Sequence, residues 1–548
     1  MRILLLAHSF NSLTQRVWVE LAARGHELAL ELDIKDSVAE EALDLFRPDL
    51  IVAPFLKRAI PASVWQAVRC LVIHPGPPGD RGPSALDWAI LDGCREWGVT
   101  VLEAVADFDA GPVWAHRNFQ MRDASKGSLY RRDVTEAAIE ALLEALARIE
   151  AGEKPIPAQP GVFRPTLPQA RRSIDWRQDT TADVLRKIRS GDGTPGVRDL
   201  IEGQDYFLFD AKAADLSGRP GDLLAVTGCG AVARASRDGA VWIGHLRPLG
   251  KESLKLPSAH YLKTERLARH PAQDILYEEQ GPVGILRFPF YNGAMSKEQC
   301  HRLCSAFLDA AQRPTRVILL AGGEDSWSNG IHLGAIEAAD SVSDESWANI
   351  NAIDDLAAAI ITCRSHLTVS AMAGNAGAGG VFLALAADRV LMRDGIVLNP
   401  HYKSMGNLYG SEYWTYLLPR RASHEQARHI QEARLPMGAG QALSLGLADE
   451  VLPGTAPGFQ QAALKKAQEL AADDAFAARL QEKNDRRDAD EAIKPLAAYR
   501  ALELEKMRLN FYGFDPSYHV ARYHFIFKSA KSRTPLYLAP HRRAKLPA

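Results

Sequence analysis

Two stretches of this chain carry side chains whose types and order suit the handling of an acyl group. The first is HPGPPGDRG, His74–Gly82, followed by FDAGPV, Phe108–Val113. His74 closes an apolar run, CLVIH, and Pro75 and Gly76 follow at once. The imidazole is therefore expected at the C-terminal edge of a sheet, where open α/β folds hold their ligands. Asp109 lies in a glycine-bounded turn after the next apolar run. A histidine with a carboxylate in reach is a proton-handling pair for acyl transfer. The same residues also fit a strand-end histidine beside a turn aspartate, with no chemistry at all.

The second stretch begins with GNAGAGG, Gly374–Gly380, between the runs LTVSAMA and VFLALAAD. Glycines there let backbone N–H groups approach a ligand, and the start of a helix favours an oxyanion. A dinucleotide-binding reading, with Asp394 near the ribose distance, fails because the glycine spacing is not G-x-G-x-x-G. Downstream, NPHYKSMGNLYGSEYWTYLLPRR (Asn399–Arg421) gathers His401, Tyr402, Tyr409, Glu412 and Tyr413. A tyrosine beside a carboxylate can serve as acid and base once burial moves their pKa values. Tyr409, Tyr413 and Trp414 read equally well as core packing, whereas Glu412 is a lone carboxylate in an apolar run.

The surrounding pattern says what must position these groups. Apolar runs at 2–7, 28–34, 50–54, 70–74 and 99–105 alternate with helical patterns, predicting a parallel sheet with helices on both faces. A helix over Leu129–Ala151 closes that unit. The proline-rich stretch Lys154–Pro168 reads as an extended linker. Short strands with glycine turns between Ser173 and Leu249 suggest a small open barrel, and Lys251–Ala272 a second linker. Residues 274–470 return to α/β, and the chain from Phe459 onward is mostly helical. The expected division is 1–160, 170–255, 273–470 and a helical extension over 471–548.

Composition sets the outer limits. At 548 residues the chain exceeds one core. It is 47% hydrophobic and 24% charged, with a formal charge of −2, so no basic field argues for nucleic acid. No window approaches the ~20 apolar residues of a membrane span, and six unevenly spaced cysteines make no disulfide framework. A cytoplasmic, membrane-free protein is expected, and no metal site. HEQARH (His424–His429) imitates a zinc motif, but its histidines point about 140° apart on a helix. CHRLC (Cys300–Cys304) reads as thiol packing.

The segment IHPGPPGDRGPSALDWAI with GVTVLEAVADFDAGPVW resembles the folate-dependent formyltransferases and formylfolate hydrolases. Ile174–Leu249 looks like the small barrel that follows in methionyl-tRNA formyltransferase. The resemblance implies that His74 and Asp109 stand around the formyl group of 10-formyltetrahydrofolate, with Ala53–Pro61 as the pterin loop. The family's Asn falls at Val72 here, and losing one such oxyanion donor typically costs ~3 kcal/mol. WSNGIHLGAIE, AGNAGAGGVFLALAADRVLM, MGNLYGSEYWTYLLPR and ALSLGLADEVLP resemble the crotonase family of enoyl-CoA hydratases and isomerases. That likeness implies the Ile331 and Gly379 amides as holders of a thioester oxygen. It puts Phe382 and Tyr402 at the two hydratase glutamate positions, so water addition loses its base.

The fusion as a whole resembles the HypX/HoxX-type hydrogenase maturation proteins, which implies supply of the carbon monoxide ligand of a NiFe site. On that reading a formyl group passes from 10-formyltetrahydrofolate to coenzyme A, and formyl-CoA then yields carbon monoxide. Glu412 and Tyr402 would be base and acid in either order. Gln15, Arg131, Ser190 and Arg542, with His401 at the second site, are candidates for holding coenzyme A. The implied partners are small-molecule substrates and the hydrogenase maturation machinery. Three rivals stay open: a hydrolase releasing formate, a tRNA formyltransferase with an appendage, and a non-catalytic folate- and CoA-binding scaffold.

Overall fold

The first sheet runs Glu27–Leu32, Arg2–Ala7, Leu50–Phe55, Cys70–His74, Glu96–Glu103, Val113–Gln120. In the computed structural model, which describes residues 1–545, the first four strands are parallel and the last two antiparallel. The expected all-parallel sheet is thus corrected to a mixed one. Val113–Gln120 was hidden because its outer half alternates exposed and half-buried polar residues, as an edge strand does. Helices Ser12–Ala23 and Thr135–Glu150 bury apolar faces, and a π turn over Tyr130–Val134 leads into the second of them.

Met1–Ala272 and the chain from Lys531 onward form one compact unit, and Gln273–Ala530 forms another. The run after residue 471 therefore does not stay together. Its helices to Ile526 belong to the second unit, while the tail joins the first. There Leu30 N donates to Leu538 O at 2.7 Å and Leu32 N to Thr534 Oγ1 at 2.9 Å, covering the sheet's free edge.

Neither expected linker is free. Val162–Phe163 pairs with Asp80–Arg81 inside the His74 loop, and Ala268–His270 pairs with Leu223–Thr227 in the barrel sheet. That sheet also contains Val197–Ile201, a strand with only its two end residues buried.

In the second unit the main sheet runs Leu276–Gln280, Val283–Arg287, Val317–Ala321, Leu367–Met372, Arg389–Arg393, Glu450–Leu452, parallel after the first pair. Strands such as VILLA and LTVSAM are buried throughout, as expected where both faces are covered. A smaller sheet, Ser326–Ser328, Asn375–Gly377, Val397–Asn399, Met437–Gly438, takes in the first half of the glycine-rich stretch. No helix among the described residues is long and apolar enough to cross a membrane.

Candidate active sites

His74 is the last residue of its strand and pairs across to Thr100. Its buried ring is gripped by two carboxylates: Nδ1 lies 3.4 Å from Asp109 Oδ2, and Nε2 lies 2.9 Å from Asp80 Oδ2. Asp109 adopts φ 51° and also accepts the Gly82 amide at 2.9 Å, so its turn aims the carboxylate at the ring. Asp80 is a residue that the sequence reasoning missed. Its signal was its place in HPGPPGD, and it is fixed by the strand pairing that the proline-rich segment supplies. A small, partly open cleft is lined by Pro77, Asp80, Thr100, Asp109 and Gln159, among others. Val72 shares the strand of His74, so no amide side chain comes from that position.

The second site is built on glycines that let backbone pack on backbone. A Cβ on Gly380 would fall 2.1 Å from the Ser328 carbonyl, and one on Gly379 only 1.9 Å from Glu412 Oε1. The helix Gly379–Leu385 therefore starts hard against Ser328 and the Glu412 carboxyl. The amides of Ile331 and Gly379 have no acceptor among the described residues, and Gly330 between Asn329 and Ile331 lies against Gly379. Two unspent N–H groups, one of them at a helix start, are the equipment for holding a carbonyl oxygen.

Tyr402 and Glu412 meet beside them. Tyr402 Oη lies 2.6 Å from Glu412 Oε2 and 2.9 Å from the Ser411 carbonyl. Phe382 stacks on the Tyr402 ring at 5.4 Å. Both members of the pair are buried, Glu412 to 1% exposure. Burial first, then the nearby Asp354 charge, pushes the Glu412 carboxyl up to about 8. Burial first, then Glu412, raises the Tyr402 phenol well above its ordinary range. One phenolic proton cannot serve both acceptors. With Glu412 protonated, the carboxyl donates to the phenol and the phenol donates to Ser411.

Asp354, Ser411 and Glu503 complete the setting, and sequence reasoning missed all three. Asp354 was half-signalled as an acid in the apolar run INAIDDLAAAII. Nothing in ALELEK distinguished Glu503 from a solvated helix face, yet it is fully buried. Tyr413 is buried, and the rings of Tyr409 and Trp414 pack 5.4 Å apart, which is the packing reading.

The remaining candidates divide. His401 is 5% exposed with neither ring nitrogen hydrogen-bonded, and burial lowers it to about 4, so it is a neutral imidazole with bonding capacity to spare. Gln15, Arg131, Ser190 and Arg542 all fall in the first unit. Gln15 Nε2 donates to Phe10 O at 2.9 Å, and Arg131 is half-buried in the π turn. Arg542 reaches Glu31 at 2.7 Å and Glu41 at 2.6 Å. Ser190 is fully buried, accepts from Arg172 at 3.3 Å and donates to Lys187 O at 2.7 Å, so its hydroxyl serves the fold. His424 and His429 are both exposed on the helix His424–Ala433.

A formyltransferase-type sheet with its own barrel, joined to a crotonase-type unit, defines a two-part acyl-handling protein. The sequence matches the formyl transferase family over residues 26–146, its C-terminal domain over 166–260, and the enoyl-CoA hydratase/isomerase family over 285–509. It is 58% identical to the hydrogenase maturation factor HoxX of Bradyrhizobium diazoefficiens, over 100% of this chain and 98% of that one. The structure of HypX from Aquifex aeolicus in complex with tetrahydrofolic acid superposes with a TM-score of 0.97 at 48% identity, covering 100% of both chains. Methionyl-tRNA formyltransferase of Stenotrophomonas maltophilia is 28% identical over 46% of this chain and 83% of its own length. The chain belongs to the HypX/HoxX family of hydrogenase maturation factors.

Proposed function

We propose that this protein makes carbon monoxide for NiFe-hydrogenase maturation in two steps, with coenzyme A as the carrier, working beside the maturation machinery. The observation that carries the reading is the buried Tyr402–Glu412 pair, 2.6 Å apart, standing at the unspent Gly379 amide where a hydratase would hold water.

In the first step, His74 takes the proton of the coenzyme A thiol. The thiolate adds to the formyl carbon of 10-formyltetrahydrofolate, the C–N10 bond breaks, and the proton passes to N10. Asp109 fixes the neutral ring by accepting from Nδ1–H, Nε2 takes the thiol proton, and Asp80, 2.9 Å from Nε2, then stabilises the imidazolium until the proton passes on. The folate complex of the Aquifex relative supports tetrahydrofolate as the donor. The small cleft lined by Asp80 and Asp109 has room only for a group about the size of the formyl end of that donor. Arg131, Gln15 and Arg542 are the groups offered to the polar parts of coenzyme A.

In the second step the Ile331 and Gly379 amides hold the formyl-CoA carbonyl oxygen, a role supported by their lack of any other acceptor among the described residues and by the match to the enoyl-CoA hydratase/isomerase family. Glu412 removes the formyl proton, the electron pair stays on carbon, and the C–S bond breaks toward sulfur. Tyr402 protonates the sulfur, and Glu412 returns its proton to Tyr402 across their hydrogen bond. The products are carbon monoxide and coenzyme A, with no net proton exchange. The order of the two pKa values assigns the roles: a carboxyl near 8 is a base poised for neutral pH, and the higher phenol is its acid. Burial of the pair excludes water, and the aromatic Phe382 supplies no second carboxylate to orient one, which favours gas over formate.

The test mixes purified protein with 10-formyltetrahydrofolate and coenzyme A and follows the haem spectrum of added deoxyhaemoglobin. Carbonylated haem that depends on both substrates is the expected result. Formate without gas means a hydrolase, and no turnover means a scaffold.

A further inference from the structure

The loop that carries Glu412 is anchored by two buried carboxylates from different helices. Asp354, on the helix Val342–Ile361, accepts the Glu412 amide at 2.8 Å and the Ser411 hydroxyl at 2.8 and 2.7 Å. Glu503, on the helix Leu496–Tyr512, accepts the Tyr413 amide at 2.9 Å, the Thr415 amide at 2.8 Å and the Thr415 hydroxyl at 2.5 Å. Both carboxylates are fully buried. Between them Glu412 and Tyr413 hold φ values of 56° and 59°, a left-handed pair that side chains avoid unless something pays the strain. Five hydrogen bonds at these distances do so, those to Asp354 being charge-assisted.

We infer that Asp354 and Glu503 are positioning residues for Glu412: they clamp the left-handed turn that aims its carboxyl at Gly379, and Asp354 keeps a negative charge behind it. The inference rests on the reading of Glu412 as the base of the second step. Burying an acid beside the reacting acid is costly, and two neutral side chains such as Asn would accept the same amides. The charge is what they would not supply. Asp354 is raised by burial only to about 6, so it is ionised at neutral pH and opposes ionisation of Glu412. Glu503 is pushed by burial to about 8. Tyr402 and the Cys300 thiol of the helix Lys297–Ala310 also face Glu412, and Arg500 stands behind Asp354, its Nε 3.7 Å from Asp354 Oδ2.

Arg500 supplies an opposite perturbation from a more exposed position, because removing it strips the counter-charge from Asp354. The experiment titrates the full-length protein by infrared difference spectroscopy, with the protonated-carboxyl band of Glu412 assigned by its loss in Glu412→Gln. Asp354→Asn is expected to move the Glu412 midpoint acid by a pH unit or more, and Arg500→Gln to move it alkaline. The acid limb of carbon monoxide release from added formyl-CoA, where the base must ionise, should follow both. If Asp354→Asn does not fold, Arg500→Gln alone decides. An unmoved midpoint, or shifts of the same sign, overturns the inference. A wild type that releases no gas would instead sink the proposed function, while the infrared midpoints still judge the clamp.

Discussion

Glu412→Gln should abolish gas release and yet make the protein more resistant to unfolding at alkaline pH. In the folded chain the Glu412 carboxyl stands at about 8, raised from 4.5 by burial and then by the Asp354 charge. A folded-state value above the unfolded one means that the native state binds the proton more tightly. The resulting stability is complete below about 4.5 and is lost as pH rises through about 8. Asp354 and Glu503 are raised by burial as well, to about 6 and about 8, so all three act in one direction. Ionising Glu412 in place costs on the order of a few kcal/mol. Glutamine at 412 cannot ionise, and its amide N–H can donate to the Tyr402 oxygen as the protonated carboxyl does. Urea unfolding of wild type and variant at pH 5 and pH 9 reads the effect. The curves should nearly coincide at pH 5, and the variant should be more stable at pH 9 by on the order of a few kcal/mol. A wild type that gains stability from pH 5 to pH 9, or a variant that tracks it throughout, would refute the argument.

Other expectations follow from single contacts. Gly379→Ala puts a methyl 1.9 Å from Glu412 Oε1; displacing the carboxyl by an ångström should cut gas release about a hundredfold, with formyl transfer to coenzyme A unchanged in a parallel mass-spectrometric assay. Asp80→Asn removes the carboxylate on His74 Nε2 and should slow formyl transfer by about tenfold or more, while gas release from added formyl-CoA stays at the wild-type rate. Ser190→Ala should leave the KM for coenzyme A unaltered and lower unfolding stability by about 1 kcal/mol, the worth of a buried hydrogen bond. A raised KM there would return Ser190 to the substrate site.

How far the sequence carried this reading depended on whether a signal was local. His74 at the end of CLVIH, and the glycines before VFLALAAD, are local features and were legible, because strand ends and glycine approaches leave marks within a few residues. Tyr402 and Glu412 could be singled out, but not their 2.6 Å contact, which a left-handed turn brings about. Asp354 and Glu503 lie 58 and 91 residues from Glu412 along the chain, and only helix packing brings them to it. Glu503 shows why composition misleads: it sits among charged neighbours on a helix with little amphipathic order, and its burial is decided by the loop it caps. The parallel sheet was overcalled for a related reason. Alternation along Val113–Gln120 is an edge-strand pattern, and direction is not written in apolar runs. The two stretches taken as linkers proved to be strand partners because two- and three-residue pairings leave almost no periodicity to read.

The central claim is that the front of the chain loads a formyl group onto a thiol and the back releases it as carbon monoxide. Tyr402→Phe separates the two events most directly, since it removes the acid that protonates the sulfur and touches nothing at His74. Incubated with 10-formyltetrahydrofolate and coenzyme A, this variant should accumulate formyl-CoA, detected by mass spectrometry, while the haem spectrum stays uncarbonylated. Undiminished gas, or formate with no thioester at any time, would contradict the account.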